Sequence, residues 1–256
     1  MRLSALLFVA AGLSLATGAF AQGAKPADSG CILDNCADKK PIPAQSAEAP
    51  AAPAAAERPR PRGASVPGQF DFYVLSLSWS PGFCETTGAE KHRSQCDAGS
   101  GLGFVVHGLW PQYESGFPSD CGPAGRSPSR IALEGAKGVY PDLNLARYEW
   151  RKHGTCSGKS PTDYFADARR ARDAIEIPQP FRGASDRQTW TPIDIERAFI
   201  AANPKLRPDM MGIACRRGVL EEVRICFSRD LREFHPCPEV SRGSCRTREL
   251  RVPAPL

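Results

Sequence analysis

The sequence predicts an α+β fold, and three observations predict it. Tyr73, Leu75, Leu77 and Trp79 alternate with smaller residues, the period of a strand. Val219, Val223, Ile225 and Phe227 repeat that reading late in the chain, on one face of a second strand. Between them lie two helix-start signals, Ser160-Pro161-Thr162-Asp163 and Thr191-Pro192-Ile193-Asp194, each a capping hydroxyl, a first-turn proline and an acid three residues on.

Taken in chain order, residues 1–21 (MRLSALLFVAAGLSLATGAFA) carry Arg2, an uncharged apolar stretch and the small-x-small site Ala19-Phe20-Ala21. This pattern predicts a signal peptide cut after Ala21 and a secreted or periplasmic protein. The competing reading is an uncleaved anchor helix; its Gly, Ser and Thr residues dilute the hydrophobicity such a helix needs. Residues 22–68 hold 12 Ala and 8 Pro. So few bulky apolar groups cannot offset the entropy of ordering the segment, which reads as a disordered tether. Cys31 and Cys36 fall within it. The domain is expected over residues 69–256.

The strand begun at Tyr73 is followed by a short apolar run, Gly103–His107, read as a buried strand that His107 ends, with Gly108 and a Trp110-Pro111 turn after it. Leu143–His153 reads as a helix with Glu149, Lys152 and His153 on one face, Trp150 on the other with Leu143 and Ala146, and Gly154 as its stop. The helix opened by Ser160 should reach about Ile175, and that opened by Thr191 should stop near Asn203-Pro204.

Composition narrows the function. The 256 residues are 41% hydrophobic and 24% charged, with a net charge of +5. Past the extreme N-terminus no apolar run reaches membrane-spanning length, which excludes a polytopic membrane protein. No long Lys/Arg run occurs, so a polyanion would have to be recognised in a cleft. Ten cysteines point to an oxidising compartment and to disulfides.

Chemistry concentrates in two segments. One is Phe104-Val-Val-His107-Gly-Leu-Trp110-Pro111; the other is Tyr148-Glu149-Trp-Arg-Lys152-His153-Gly-Thr-Cys156. Two imidazoles, an acid and a cation suit phosphoryl transfer. One histidine can take a proton while the other gives one, and a lysine can stabilise charge growing on phosphate oxygens. The nucleophile that needs no metal is the RNA 2′-hydroxyl, held beside its own phosphate; DNA lacks it. Taken singly, each residue has a plainer reading. His107 could be a core histidine at a strand end. Glu149 and Lys152 could be an ion pair on a solvated helix face. Glu149 and His153 could ligate metal, but neither H-E-x-x-H nor a paired C-x-x-C is present. His92 reads as a surface residue, His235 as structural, and Arg169, Arg170 and Arg172 as a solvated helix face.

His107-Gly-Leu-Trp-Pro111 and Glu149-Trp-x-Lys-His-Gly-Thr-Cys156 resemble the two catalytic segments of the ribonuclease T2 family, and Leu75–Cys84 resembles its first strand and following cysteine. The resemblance implies a central, mostly antiparallel sheet flanked by helices and stapled by disulfides. It implies a metal-independent, cofactor-free endoribonuclease that cleaves single-stranded RNA through a 2′,3′-cyclic phosphate to a 3′-phosphate, expected here as a monomer. By that resemblance His153 is the general base, His107 the general acid, and Glu149 and Lys152 stabilise the pentacovalent phosphorus. Trp110 offers a base its stacking face, with Tyr113 and Phe117 as candidates for a second. Tyr148 stands where many members carry a phosphate-holding histidine, a substitution found in some bacterial-type members; a phenol donates a hydrogen bond but no charge. Gln112 follows the Trp-Pro where many members have an acid or Asn, so no base preference carries over. Spacing alone decides no cysteine pairing; the resemblance implies Cys84–Cys96, Cys121–Cys156, Cys215–Cys245 and Cys226–Cys237. The rivals are an inactive secreted relative that binds RNA or protein, and a metal-dependent phosphoesterase.

Overall fold

The computed structural model describes residues 65–88, 94–122 and 127–256. The predicted signal peptide, Cys31, Cys36, His92 and nearly all of the predicted tether lie outside the described residues. The elements run β1 (Phe72–Trp79), α1 (Ser80–Phe83), β2 (Phe104–Gln112), α2 (Arg130–Ala136), α3 (Leu143–Lys152), α4 (Pro161–Asp173), β3 (Gln188–Trp190), α5 (Pro192–Ala202), β4 (Met211–Arg216), β5 (Val219–Phe227), α6 (Pro238–Arg242) and β6 (Leu250–Val252). The fold is α+β, as the sequence predicts. A six-stranded sheet runs β2-β1-β5-β6-β3, with β4 also paired to β5. Every pairing is antiparallel except β5 with β6.

The helix starts follow their caps. Ser160 accepts from the Asp163 N–H and Thr191 from the Asp194 N–H, each with proline in the first turn. Helix α5 ends at the predicted Asn203. Ser129 and Asp142 cap α2 and α3 in the same way; α2 escaped the sequence reading, although Ser129 was its visible signal.

Strand β1 is buried along its whole length. Tyr73, Leu75, Leu77 and Trp79 enter the main core with Tyr164, Phe165 and Ala168 of α4 and Ile195 and Phe199 of α5. The opposite face carries a smaller cluster, Phe72, Val74, Cys226 and Cys237, with Trp110 against it. This second face positions the functional residues.

Two bulges correct the sequence reading. His107 does not end its strand, and Trp110-Pro111 is not a turn: β2 continues to Gln112. Leu77 pairs with Val106 and Ser76 with Gly108, so His107 is the extra, unopposed residue. On a regular strand His107 and Trp110, three apart, would face opposite sides; one inserted residue brings both to the same side. Pro111 is tolerated because β2 is the terminal strand. In β5, Ala214 pairs with Glu222 and Cys215 with Leu220, leaving Glu221 as a bulge. Leu220 therefore joins Val223, Ile225 and Phe227 in the main core in place of the expected Val219, which is buried outside it.

The structure joins Cys84 to Cys96, Cys121 to Cys156, Cys215 to Cys245 and Cys226 to Cys237. Among the described residues no helix is long and apolar enough to cross a membrane.

Candidate active site

The site forms where β2, β5 and the C-terminal end of α3 meet. His107, on its bulge, is a third exposed. Its Nδ1 lies 2.6 Å from Glu222 Oε1, and its Nε2 lies 3.5 Å from Glu149 Oε1. Glu149 is 1% exposed, and its Oε2 accepts a 2.7 Å hydrogen bond from the Trp110 indole N–H. Gly108 makes this bond possible. A Cβ there would fall inside van der Waals contact of both Glu149 Oε2 and Trp110 Nε1.

Helix α3 ends as predicted, and its end is held tightly. The His153 N–H closes the last turn on the Glu149 carbonyl, and a 3₁₀ turn, Gly154–Ser157, follows. Gly154 is required by space: a Cβ would crowd Trp150 and Tyr164. The left-handed residue is Gly158, at φ 73°. Cys156 is bridged to Cys121, and the Asp120 N–H donates to the Lys152 carbonyl at 2.8 Å. The Asp120 carboxylate also takes the Lys152 ammonium at 2.7 Å. Lys152 therefore pairs with Asp120, not with Glu149 as a solvated helix face would have it. Trp150 is core, against Tyr164, as its position predicts.

The two imidazoles flank one indole. The His107 and His153 ring centroids each lie 5.3 Å from that of Trp110, so they are at most twice that distance apart. Two clefts open from this point. A cleft of about 420 Å³ is lined by His107, Tyr148, Leu145, Phe83, Ser78 and Gln95 among others. A second, of about 400 Å³, is lined by His153, Lys152, Trp110, Phe117, Gln112 and Glu239 among others. Tyr148 and Phe117 are half-exposed on these walls. Part of the Trp110 surface is already covered, by His153 and by the Arg224 guanidinium 5.3 Å from its centroid. Tyr113 is not brought to the site: it packs, partly buried, against the main core and lines neither cleft.

Burial and charge push the titrations apart. Burial, helped by the charges of His107 and Lys152 and opposed by Asp120, lowers His153 to about 4. Its Nδ1 is buried without a hydrogen-bond partner, and an imidazolium would have a second N–H to satisfy. Burial alone would also lower His107. The hydrogen bond and charge of Glu222, with the charge of Glu149, override burial and the opposing Arg224, and raise it above the ordinary imidazole value. Burial pushes the Glu149 carboxyl up to about 7, against the His107 charge and the Trp110 hydrogen bond. Glu222 resists its burial: His107 and Arg224 hold it down at about 2.

Sequence reasoning missed Glu222, Arg224 and Asp120. Glu222 and Arg224 had a readable signal, a charged pair two apart inside an apolar strand; Asp120 had none beyond its place before Cys121. His235 stacks on Phe72 and meets Glu114 at 3.1 Å, a structural placement. Arg169 donates to the Gly135 and Lys137 carbonyls at the C-terminal end of α2, and Arg170 pairs with Asp167. Among the described residues no group of three or more His, Cys, Asp or Glu side chains is arranged to hold a metal.

A sequence model of the ribonuclease T2 family matches residues 70–237. The chain belongs to the ribonuclease T2 family. It is 36% identical over 174 residues to a ribonuclease of Aeromonas hydrophila, covering 67% of this chain and 78% of that protein. It is 29% identical over 197 residues to ribonuclease DdI of Dictyostelium discoideum, covering 71% and 84%. Among solved structures, an RNase-related protein from Calystegia sepium superposes with a TM-score of 0.56 at 22% identity, over 73% of this chain and 99% of that one, a likeness of fold. Membership of the ribonuclease T2 family assigns the chain an RNA-cleaving activity in general terms.

Two outcomes follow from this geometry. In Gly108→Ala the methyl must displace Glu149 or Trp110. Denaturant midpoints should report a loss of about 1–3 kcal/mol, and RNA turnover should fall by about 10²-fold because Glu149 adjoins His107 and Trp110 lines the His153 cleft. Replacing Cys121 and Cys156 together by Ala should cost about 2–4 kcal/mol in the same assay. It should also lower turnover well below that of a Cys84/Cys96 double variant of equal stability, because only the first pair holds the end of α3.

Proposed function

We propose that the protein is a metal-independent endoribonuclease that cleaves single-stranded RNA by 2′-hydroxyl transphosphorylation, with His153 as general base and His107 as general acid. The observation that carries this is the flanking of Trp110 by two imidazoles whose proton affinities are displaced in opposite directions. Such a split is how one site holds a base and an acid at one pH.

In the first step neutral His153 takes the 2′-hydroxyl proton and the 2′-oxygen bonds to phosphorus. The bond from phosphorus to the 5′-oxygen breaks, and His107 gives that oxygen its proton. The products are a 2′,3′-cyclic phosphate and a free 5′-hydroxyl. In the second step the roles reverse: His107 takes a proton from water as the water oxygen bonds to phosphorus, the bond from phosphorus to the 2′-oxygen breaks, and His153 protonates that oxygen, leaving a 3′-phosphate and a free 2′-hydroxyl. Glu149, with its carboxyl held near 7 by burial, is protonated at mildly acid pH and can donate to a non-bridging oxygen. Asp120 engages one Lys152 donor, and the remaining ammonium hydrogens can serve the phosphate. The two clefts give the nucleosides on either side of the phosphate a place each, with Tyr148 on one wall and Trp110 and Phe117 on the other.

We assign the chain to the bacterial-type members, supported by Tyr148 and by the Aeromonas hydrophila relative. Four disulfides and the N-terminal segment support a secreted or periplasmic location.

The acid limb of the pH–rate profile should follow His153, which must be neutral, and fall below about pH 4. The alkaline limb should follow the loss of a proton from His107, held above the ordinary imidazole value, and from Glu149, pushed up to about 7. Turnover of homopolymer RNA with chelator present should therefore be bell-shaped with an acid-to-neutral plateau; a flat profile from about pH 4 to 9 contradicts the pairing. His153→Ala should lose about 10²-fold or more in kcat while remaining folded. His107→Ala should lose far less on a nitrophenyl leaving group, which needs no proton, than on RNA; equal losses remove His107 from the acid role.

A further inference from the structure

We propose that Glu222 is the positioning residue of the His107 imidazole, and that Arg224 fixes the carboxylate that does it. The proposal rests on the acid role given to His107. Each carboxylate oxygen of Glu222 has its own partner. Oε1 lies 2.6 Å from His107 Nδ1, and Oε2 accepts from the Arg224 guanidinium at 2.9 and 2.7 Å. Rotation of the carboxylate would forfeit one or the other. Glu222 is 9% exposed, so little water competes.

The sheet makes the reach possible. Glu222 on β5 and His107 on β2 are separated by β1, where Ser78 stands opposite Glu222 and Ser76 opposite Arg224. Both serines are buried and small. A larger side chain at either position would occupy the space through which Glu222 meets the imidazole. The unbroken pairing of β5 with β1 places Glu222 on this face with Arg224, and the bulge at His107 brings the ring to it.

The contact has two consequences. An Nδ1–H donated to Glu222 fixes the ring plane and points Nε2 the other way, toward Glu149 and the cleft. A carboxylate at Nδ1 also favours the cationic ring, the form able to release a proton. Glu222 touches neither phosphate nor leaving group in this scheme and acts through His107. The charged and titratable groups facing His107 are Glu222 and Arg224 from β5 and Glu149 and His153 from α3 and its end. Asp142, Tyr148, Arg216 and Glu221 line the same cleft.

The test is a histidine-labelled NMR titration of the full chain beside its pH–kcat profile, with the His107 signal assigned by difference against His107→Ala. In Glu222→Gln the His107 midpoint and the alkaline limb should both move down by about one pH unit or more. Turnover should then fall about tenfold at pH 7, by much less at pH 5, with KM little changed. Glu222→Asp, which keeps the charge, should recover most of the shift. Arg224→Lys, which keeps the cation but loses the two-pronged hold on the carboxylate, should move the His107 midpoint down by less, and it carries the test should the glutamine variant not fold. An unmoved His107 midpoint in Glu222→Gln, or in Arg224→Lys where the glutamine variant does not fold, overturns the positioning role, whatever the loss of turnover. A His107 midpoint that falls below an alkaline limb that has not moved leaves the Glu222 contact standing and overturns the acid role of His107 instead, since turnover then persists with the ring deprotonated.

Discussion

A carboxyl group almost wholly removed from water holds this site together. Glu149 belongs to α3, yet its oxygens look to β2, one accepting from the Trp110 indole and the other facing His107. A buried acid is costly unless partnered, so helix and strand are fixed where those partners can be met. Gly108 supplies the room, and its missing side chain is as much a part of the contact as the groups that make it. Because His153 closes the last turn of the same helix on the Glu149 carbonyl, the bond that seats Glu149 also sets where the second imidazole stands.

Two rings of the same chemistry acquire different proton affinities from their settings alone. His107 has carboxylates on both sides, and their pull exceeds the cost of its burial. His153 has neighbouring cations and a nitrogen with nothing to bond, so burial prevails. Asp120 softens that effect while holding the lysine beside it. The contrast comes from which strand or helix end each ring occupies, and from Glu222, the acid that the sheet delivers to one of them only.

Much of this was legible in the residues. The strand at Tyr73, the capped helices at Ser160 and Thr191, and the grouping of Glu149, Lys152 and His153 at a helix end all follow from local patterns, since caps and periodicities act over a few neighbours. The bulges were not legible. Whether His107 is opposed or extra depends on how Ser76 and Leu77 pair across from it, which no window around His107 contains. Val219 was misplaced for the same reason, two residues before the Glu221 bulge. Glu222 and Arg224 lie more than a hundred residues beyond His107, and their relevance exists only once β5 and β2 share a sheet. Tyr113 shows the converse: the family resemblance offered its ring as a second stacking face, but the chain turns at Tyr113–Gly116 and the ring packs against the core.

Strand β2 closes one side of the sheet, and an unguarded outer strand invites pairing with another molecule. The kink at His107 breaks the even spacing of donors and acceptors that an incoming strand would need, and Pro111 deletes a donor outright. The Val106 amide and Leu109 carbonyl are already engaged, by Val139 and by the Tyr164 hydroxyl. The distortion that aims an imidazole thus also protects the molecule against edge-to-edge aggregation, and straightening it would cost solubility as well as chemistry.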